Sequence, residues 1–172
     1  MSDRPRDVTI RPATRADVPV IGRLGASLVQ EHHEFDPKRF IAASPETAQR
    51  YGAFLGSQLD KKDVVVLIAV RQGTAVGYVY ASVEGFDYMS LRGPAGVLQD
   101  IVVDPAHRGQ GIGRLLLEAV VSALEARGAP RVVLSTAERN KPAQRLFESA
   151  GFRRTMIEMT REVGRQIQND AP

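Results

Sequence analysis

Val103-Asp104-Pro105-Ala106-His107-Arg108-Gly109-Gln110-Gly111-Ile112-Gly113-Arg114 decides how this chain reads. A largely apolar segment, Val97 to Val103, leads into it, and an amphipathic pattern leaves it. Glycines at alternate positions let the backbone approach a ligand and take conformations closed to other residues. The helix that follows offers unpaired N–H groups and the positive end of its dipole. Such a turn suits a phosphate or pyrophosphate; the alternative is a strand-to-helix turn without a ligand. Two familiar glycine loops are excluded. Counting from Gly109 or Gly111, the sixth position is Arg114 or Leu116 rather than the glycine of a dinucleotide fingerprint. Gly113 is followed by Arg114-Leu115, not by the Lys-Ser/Thr of a P-loop.

Around this turn the pattern alternates between sheet and helix. Val8 to Arg11 reads as a short strand. Thr14 is a helix cap with Asp17 in the first turn, and Val18, Ile21, Leu24 and Leu28 form an apolar stripe ending near Glu31. Ser44-Pro45-Glu46 starts a second helix, with a stripe at Ala48, Tyr51, Phe54, Leu55 and Leu59. Val64 to Val70, the Gln72-Gly73 turn and Thr74 to Glu84 read as an antiparallel hairpin. A loop from Gly85 to Gly96 precedes the strand 97–103. From Ile112 a helical face runs to a stop at Gly128. Arg131 to Ser135 is a strand, Pro142 to Ala150 a helix capped by Gly151, and Met156 to Val163 a last strand. The order is βααβββαβαβ, with the final strand open to division in two. It predicts an α/β fold with a mixed central sheet flanked by helices, and a parallel crossover from strand 97–103 to strand 131–135.

The 172 residues suit a single domain, residues 1–172, with a core over about 8–163 and a flexible tail at 164–172. The net charge of +3 comes from 23 basic and 20 acidic residues without a long basic run, so a nucleic-acid partner is not expected. The absence of cysteine excludes disulfides, thiolate metal sites and a cysteine nucleophile. His32, His33 and His107 have no metal-ligand spacing. No signal region or membrane-length apolar run is present, so a cytoplasmic protein is expected.

The turn matches R-x-x-G-x-G at Arg108 to Gly113, and downstream lies Asn140-Lys141-Pro142-Ala143-Gln144-Arg145-Leu146-Phe147-Glu148-Ser149-Ala150-Gly151-Phe152. Both resemble the motifs of the GNAT N-acetyltransferases, the second being similar to N-x-x-A-x-x-L-Y-x-x-x-G-F. The resemblance covers residues 8 to 163. It implies an acetyl-CoA-dependent transfer of an acetyl group to a primary amine by direct attack in a ternary complex. The backbone N–H groups of Gly109, Gln110, Gly111, Ile112, Gly113 and Arg114 would then hold the pyrophosphate. Ile101, Val102 and Val103 would pair with the pantetheine arm, and Asn140 would bond to it or to nearby backbone. Phe147 would sit by the cofactor, and Arg108 and Lys141 are candidates for phosphate contacts or surface charges. The expected partner is a small-molecule amine or a protein amine, with a homodimer as one candidate assembly.

An ordinary alkylamine has a pKa of about 10.4, so about one molecule in 2,500 is unprotonated at pH 7. A base is therefore required. Asp100 and Glu84 are the candidates. Leu98-Gln99-Asp100-Ile101-Val102-Val103 resembles the L-E-D-x-x-V strand of spermidine/spermine acetyltransferases, with Gln99 in place of the glutamate. An acid in so apolar a strand lies at an open edge of the site or is paired. Glu31, Phe35 and Tyr88 are candidates for the acceptor side. The family tyrosine that protonates the departing thiolate is replaced by Phe147. A water or a hydroxyl of Tyr80, Tyr88 or Ser90 would take its place; the other reading is a weakly catalytic or non-catalytic acyl-CoA-binding module.

Overall fold

A computed structural model describes residues 7–163. Strand β1 (Val8–Pro12) is followed by helices α1 (Val18–Phe35) and α2 (Thr47–Gln58). Strands β2 (Val64–Arg71), β3 (Thr74–Glu84) and β4 (Ala95–Val103) come next, then α3 (Ile112–Glu125), β5 (Val132–Leu134) and α4 (Lys141–Ser149). The sheet order is β1-β2-β3-β4-β5. The first three pairings are antiparallel and β4–β5 is parallel, so the sheet is mixed as expected.

The sheet is covered on both faces. Ile112, Leu116, Leu117, Val120 and Leu124 of α3 and Phe147 of α4 pack on Val65, Ala69, Val79, Ala81 and Leu98. On the other face Ile21 and Leu24 of α1 and Leu55 of α2 pack on Val66, Ile68, Tyr78 and Val102. These are the stripes expected from the helical periodicity.

One irregularity in β4 sets the site. Tyr80 pairs with Asp100, but Ala81 pairs with Leu98, leaving Gln99 as an extra residue. Such a bulge reverses the side-chain alternation. Leu98 therefore faces α3, whereas Val102 packs on the α1 side and Asp100 bonds to Tyr51 and Tyr78 there.

Three expectations need correction. Helix α1 continues to Phe35, past Glu31, because Pro19 sits harmlessly in its first turn and the last turns are held by packing of His32 against Phe35 and Phe40. Strand β5 keeps three residues of the expected five. The last strand expected over Met156–Val163 does not form among the described residues. Phe152 folds back on Phe147, with ring centroids 5.9 Å apart. Arg154 bonds to Glu148 and Gln144, and Glu158 to Arg39, so the segment is tied to α4 and to the α1–α2 connection rather than to β5. The tail expected at 164–172 lies outside the described residues. No helix among the described residues is long and apolar enough to cross a membrane.

The entry into α1 is clamped by a buried carboxylate. Arg11 donates two hydrogen bonds to Asp17, at 2.7 and 2.8 Å, and the Thr14 amide donates a third at 2.7 Å. The Arg11 guanidinium, more than any other group, lowers the Asp17 carboxyl from 3.8 to about 2. An acid whose pKa is lower when folded contributes stability above its ordinary pKa and loses it as pH falls through the folded value. Asp17→Asn should therefore cost about 1–2 kcal/mol at neutral pH, allowing for solvent around the half-exposed Arg11. The difference from wild type should shrink below about pH 4 and vanish near pH 2 in urea titrations. A pH-independent difference would show that the carboxylate's charge is not what Asp17 contributes.

Candidate active site

Strand β4 ends in a short 3-10 turn, Pro105–His107, capped by Asp104, whose carboxylate accepts from the Ala106 amide at 2.9 Å. The chain then passes through Gly109 and Gly111 with φ of +74° and +80°. Gly111 is the N-cap of α3 in the left-handed region, where a side chain is strained. Among the described residues, no N–H group from 109 to 114 donates a hydrogen bond. These amides at the start of a fourteen-residue helix are open to an anion.

The side chains around the turn are engaged with one another. Arg108 makes a two-pronged pair with Glu31 at 2.8 and 2.9 Å and reaches the Val103 carbonyl at 3.0 Å. The two residues expected to meet a phosphate and an amine thus tie the turn to α1. Gln110 accepts from Arg71, Arg114 donates to Glu118 at 3.0 Å, and Lys141 to Glu138 at 2.9 Å. The groups of this region left without an intramolecular partner among the described residues are the backbone amides of the turn.

Strands β4 and β5 pair only at Gly96–Val132, Val97–Val133 and Leu98–Leu134. Beyond Leu98 they part, and a cavity of about 250 Å³ opens. Leu98 to Ile101 form one wall and Ser135, Thr136, Asn140, Ala143 and Phe147 the other. Leu28, Val29 and His32 of α1 and Phe40 and Ile41 of the α1–α2 connection complete it. Phe147 is buried in the α3-side core as well as lining the cavity. The Asn140 side-chain oxygen Oδ1 caps α4 by accepting from the Ala143 amide at 3.2 Å.

Asp100 lies in that wall. Its Oδ2 accepts from the Tyr51 hydroxyl at 2.5 Å and the Tyr78 hydroxyl at 3.1 Å. Its Oδ1 receives no hydrogen bond from any described residue. Burial raises the Asp100 pKa above the ordinary carboxylate value, against the opposing pull of the two hydroxyls and of nearby His32. Burial and the Asp100 charge also raise both tyrosines, which remain donors. A carboxyl so placed is a stronger proton acceptor than a solvated one.

Tyr51 reaches Asp100 because α1 carries Gly25 beneath it. A Cβ on Gly25 would lie 2.2 Å from the Tyr51 ring. His32, about one turn further along α1 than Leu28, has its Nδ1 2.9 Å from the Leu28 carbonyl. A carbonyl only accepts, so Nδ1 carries the proton and Nε2 is the free nitrogen.

The other expected residues lie elsewhere. Glu84 accepts from Arg92 at 2.8 Å and from Ser82 at 2.9 Å, outside the cavity lining. Phe35 packs edge-on against His32, while its carbonyl accepts from Arg139 at 2.6 Å. Tyr88 is exposed and stacked on Phe86 in the β3–β4 loop. Tyr80 packs against Phe54. Sequence reasoning missed Tyr51, Tyr78 and His32 as site residues. Tyr51 read as part of an apolar stripe, and its bond to Asp100 spans 49 positions. The usable signal was an acid in an apolar strand, which calls for donors nearby.

A model of the acetyltransferase (GNAT) family matches residues 26–152. An uncharacterized N-acetyltransferase of Bacillus subtilis, YhfO, is 30% identical over 147 residues, 84% of this chain and 89% of its own length. A mycothiol acetyltransferase of Thermobispora bispora is 41% identical over 96 residues, 54% of this chain. The match spans only 31% of that relative's length. The aminoglycoside N-acetyltransferase AAC(6')-Iy, solved in complex with CoA, shares the fold with a TM-score of 0.68 at 20% identity, over 95% of this chain and 99% of its own. Since the family model spans the glycine turn, the parted strands and α4 alike, the chain belongs to the GNAT family of N-acetyltransferases.

Proposed function

We propose that this protein moves an acetyl group from acetyl-CoA to a primary amine, with Asp100 accepting the amine proton. The reading rests on Asp100, which has one oxygen held by two tyrosines and the other without a partner among the described residues, in the wall of the cavity between β4 and β5. When bound, acetyl-CoA supplies the acetyl group as a thioester. The chain fits that cofactor at two places: the unengaged amides of residues 109–114 suit its pyrophosphate, and the free edge of Ile101, Val102 and Val103 suits the amides of its pantetheine arm.

Asp100 attracts a cationic amine and takes its proton at Oδ1, while Tyr51 and Tyr78 hold Oδ2 and fix the carboxylate plane. Phe147 has no proton to give. His32 also lines the cavity, but its Nε2 carries no proton in this tautomer, so the departing sulfur takes its proton from water or from the Asp100 carboxyl that has received the amine proton. The apolar lining from Leu28, Ile41, Ala143 and Phe147 limits water at the reacting centre. The acceptor is read as a small-molecule amine or a protein amine; an amine panel scored by free-thiol release identifies it. Acetyl-CoA binding without turnover across that panel would favour the binding-module reading raised by Phe147.

Three variants test the assignment. Gly111→Asp puts a side chain and a negative charge at a left-handed N-cap, and calorimetry should show acetyl-CoA affinity falling at least about tenfold. Unchanged affinity in the folded variant would remove the turn from the cofactor site. Asp100→Asn should lower kcat/KM at least about tenfold with acetyl-CoA affinity retained. It should also abolish an acidic limb that, in wild type, lies above the ordinary carboxylate range. Because the folded pKa of Asp100 is raised, its ionisation opposes folding as pH rises through that value. The Asn variant should therefore melt no lower than wild type at pH 8. Gly25→Ala displaces the Tyr51 ring and should lower kcat about as much as Tyr51→Phe does; a much smaller effect of either change would detach Tyr51 from the chemistry.

A further inference from the structure

The bulge at Gln99 turns Asp100 toward α1, and the part of the cavity that it meets there is mostly apolar. Leu28 and Val29 of α1 and Phe40 and Ile41 of the connection that follows make this wall. Among the described residues, Asp100 is the one carboxylate in the cavity lining, and the lining holds no lysine or arginine. Oδ1 of Asp100 receives no hydrogen bond from any described residue, and Nε2 of His32 is a neutral acceptor in the same lining. That set matches one ammonium group.

The other acids on the neighbouring elements are engaged outside the lining. Glu31 holds Arg108 at 2.8 and 2.9 Å, Glu84 holds Arg92 at 2.8 Å and Glu158 holds Arg39 at 2.9 Å. Glu34 accepts from Gln30 at 2.9 Å and Asp36 from the Lys38 amide at 3.1 Å. The Arg39 guanidinium sits 4.9 Å from the centroid of the Phe40 ring, so the aromatic residue of the wall already carries a cation. A second ammonium on the acceptor would lose its water with no carboxylate to meet it, and would face a like charge. A carboxylate on the acceptor would find no cation in the lining.

We propose that the acceptor is a primary amine with a single positive charge on a compact apolar body, an arylalkylamine or alkylamine rather than a polyamine, an aminoglycoside or an amino acid. Its ammonium is met by Asp100 Oδ1 and His32 Nε2, and its apolar body lies against Leu28, Val29, Phe40 and Ile41. Burial of that body supplies affinity, and the lack of partners for any further charge supplies selectivity. This acceptor class rests on the reading of Asp100 as the amine's partner in acetyl transfer.

With acetyl-CoA present, kcat/KM for phenethylamine and hexylamine should exceed that for spermidine, kanamycin and free phenylalanine at least about tenfold. Ile41→Glu places a second acid in the wall at a residue that is 43% exposed, where a charge is tolerated by the fold. It should move the spermidine-to-phenethylamine ratio of kcat/KM at least about tenfold toward spermidine, and a ratio is insensitive to the amount of folded protein. Calorimetry on the CoA-saturated protein should show phenethylamine binding that Asp100→Asn weakens at least about tenfold. Spermidine, kanamycin or phenylalanine as the better substrate overturns the acceptor class and leaves acetyl transfer standing, as does an unchanged ratio in Ile41→Glu. Phenethylamine that binds through Asp100 without being acetylated supports the acceptor class and overturns acetyl transfer. No binding of phenethylamine, or binding indifferent to Asp100→Asn, overturns the acceptor class.

Discussion

The extra residue at Gln99 is the constraint on which the site depends. Without it, Leu98, Asp100 and Val102 would share one face of β4. With it, Leu98 joins the α3-side core, while Asp100 and Val102 turn toward α1 and α2. The parallel ladder to β5 stops at Leu98, immediately before the same residue. A single insertion thus coincides with two results: an acid aimed at a pair of tyrosines, and a gap between strands beside it. Bulges commonly occur next to active sites for this reason.

Holding a carboxylate there is costly, and the surrounding helices meet the cost. Tyr51 comes from α2 and Tyr78 from the neighbouring strand, and both donate to one oxygen of Asp100. The α2 tyrosine fits only because α1 is stripped to glycine at position 25. The position of α1 is in turn set at its two ends. Asp17, gripped by Arg11 and Thr14, begins it beside β1, and Glu31 joins it to Arg108 at the glycine turn. The second pair matters for the division of labour in the turn. Arg108 acts as a strut between α1 and β4, and the backbone amides of the turn are left unengaged.

Most elements were legible from periodicity because burial on the two faces of the sheet enforces it. The α3 stripe from Ile112 to Leu124, the hairpin through Gln72-Gly73 and the glycine turn all have local signatures. The site was legible only in part. Asp100 stood out as an acid in an apolar strand, and Phe147 as a departure from the family tyrosine. Glu84 and Glu31 did not stand out as paired, because Arg92 and Arg108 reach them through space. The final strand expected at 156–163 does not form among the described residues, where Arg154 and Glu158 tie the segment through space to α4 and to the α1–α2 connection instead.

The sequence by itself determined the order of helices and strands, the turn at residues 109–113, the lack of any cysteine chemistry and the membership of an acetyl-transferring family. Those features rest on spacing, composition and backbone preference, which act over a few residues. The tertiary structure decided which acid faces the cavity, which hydroxyls hold it, which nitrogen of His32 is free and which charges neutralise one another. Those depend on the face of a bulged strand and on contacts up to 119 positions apart, and neither is fixed by any local pattern.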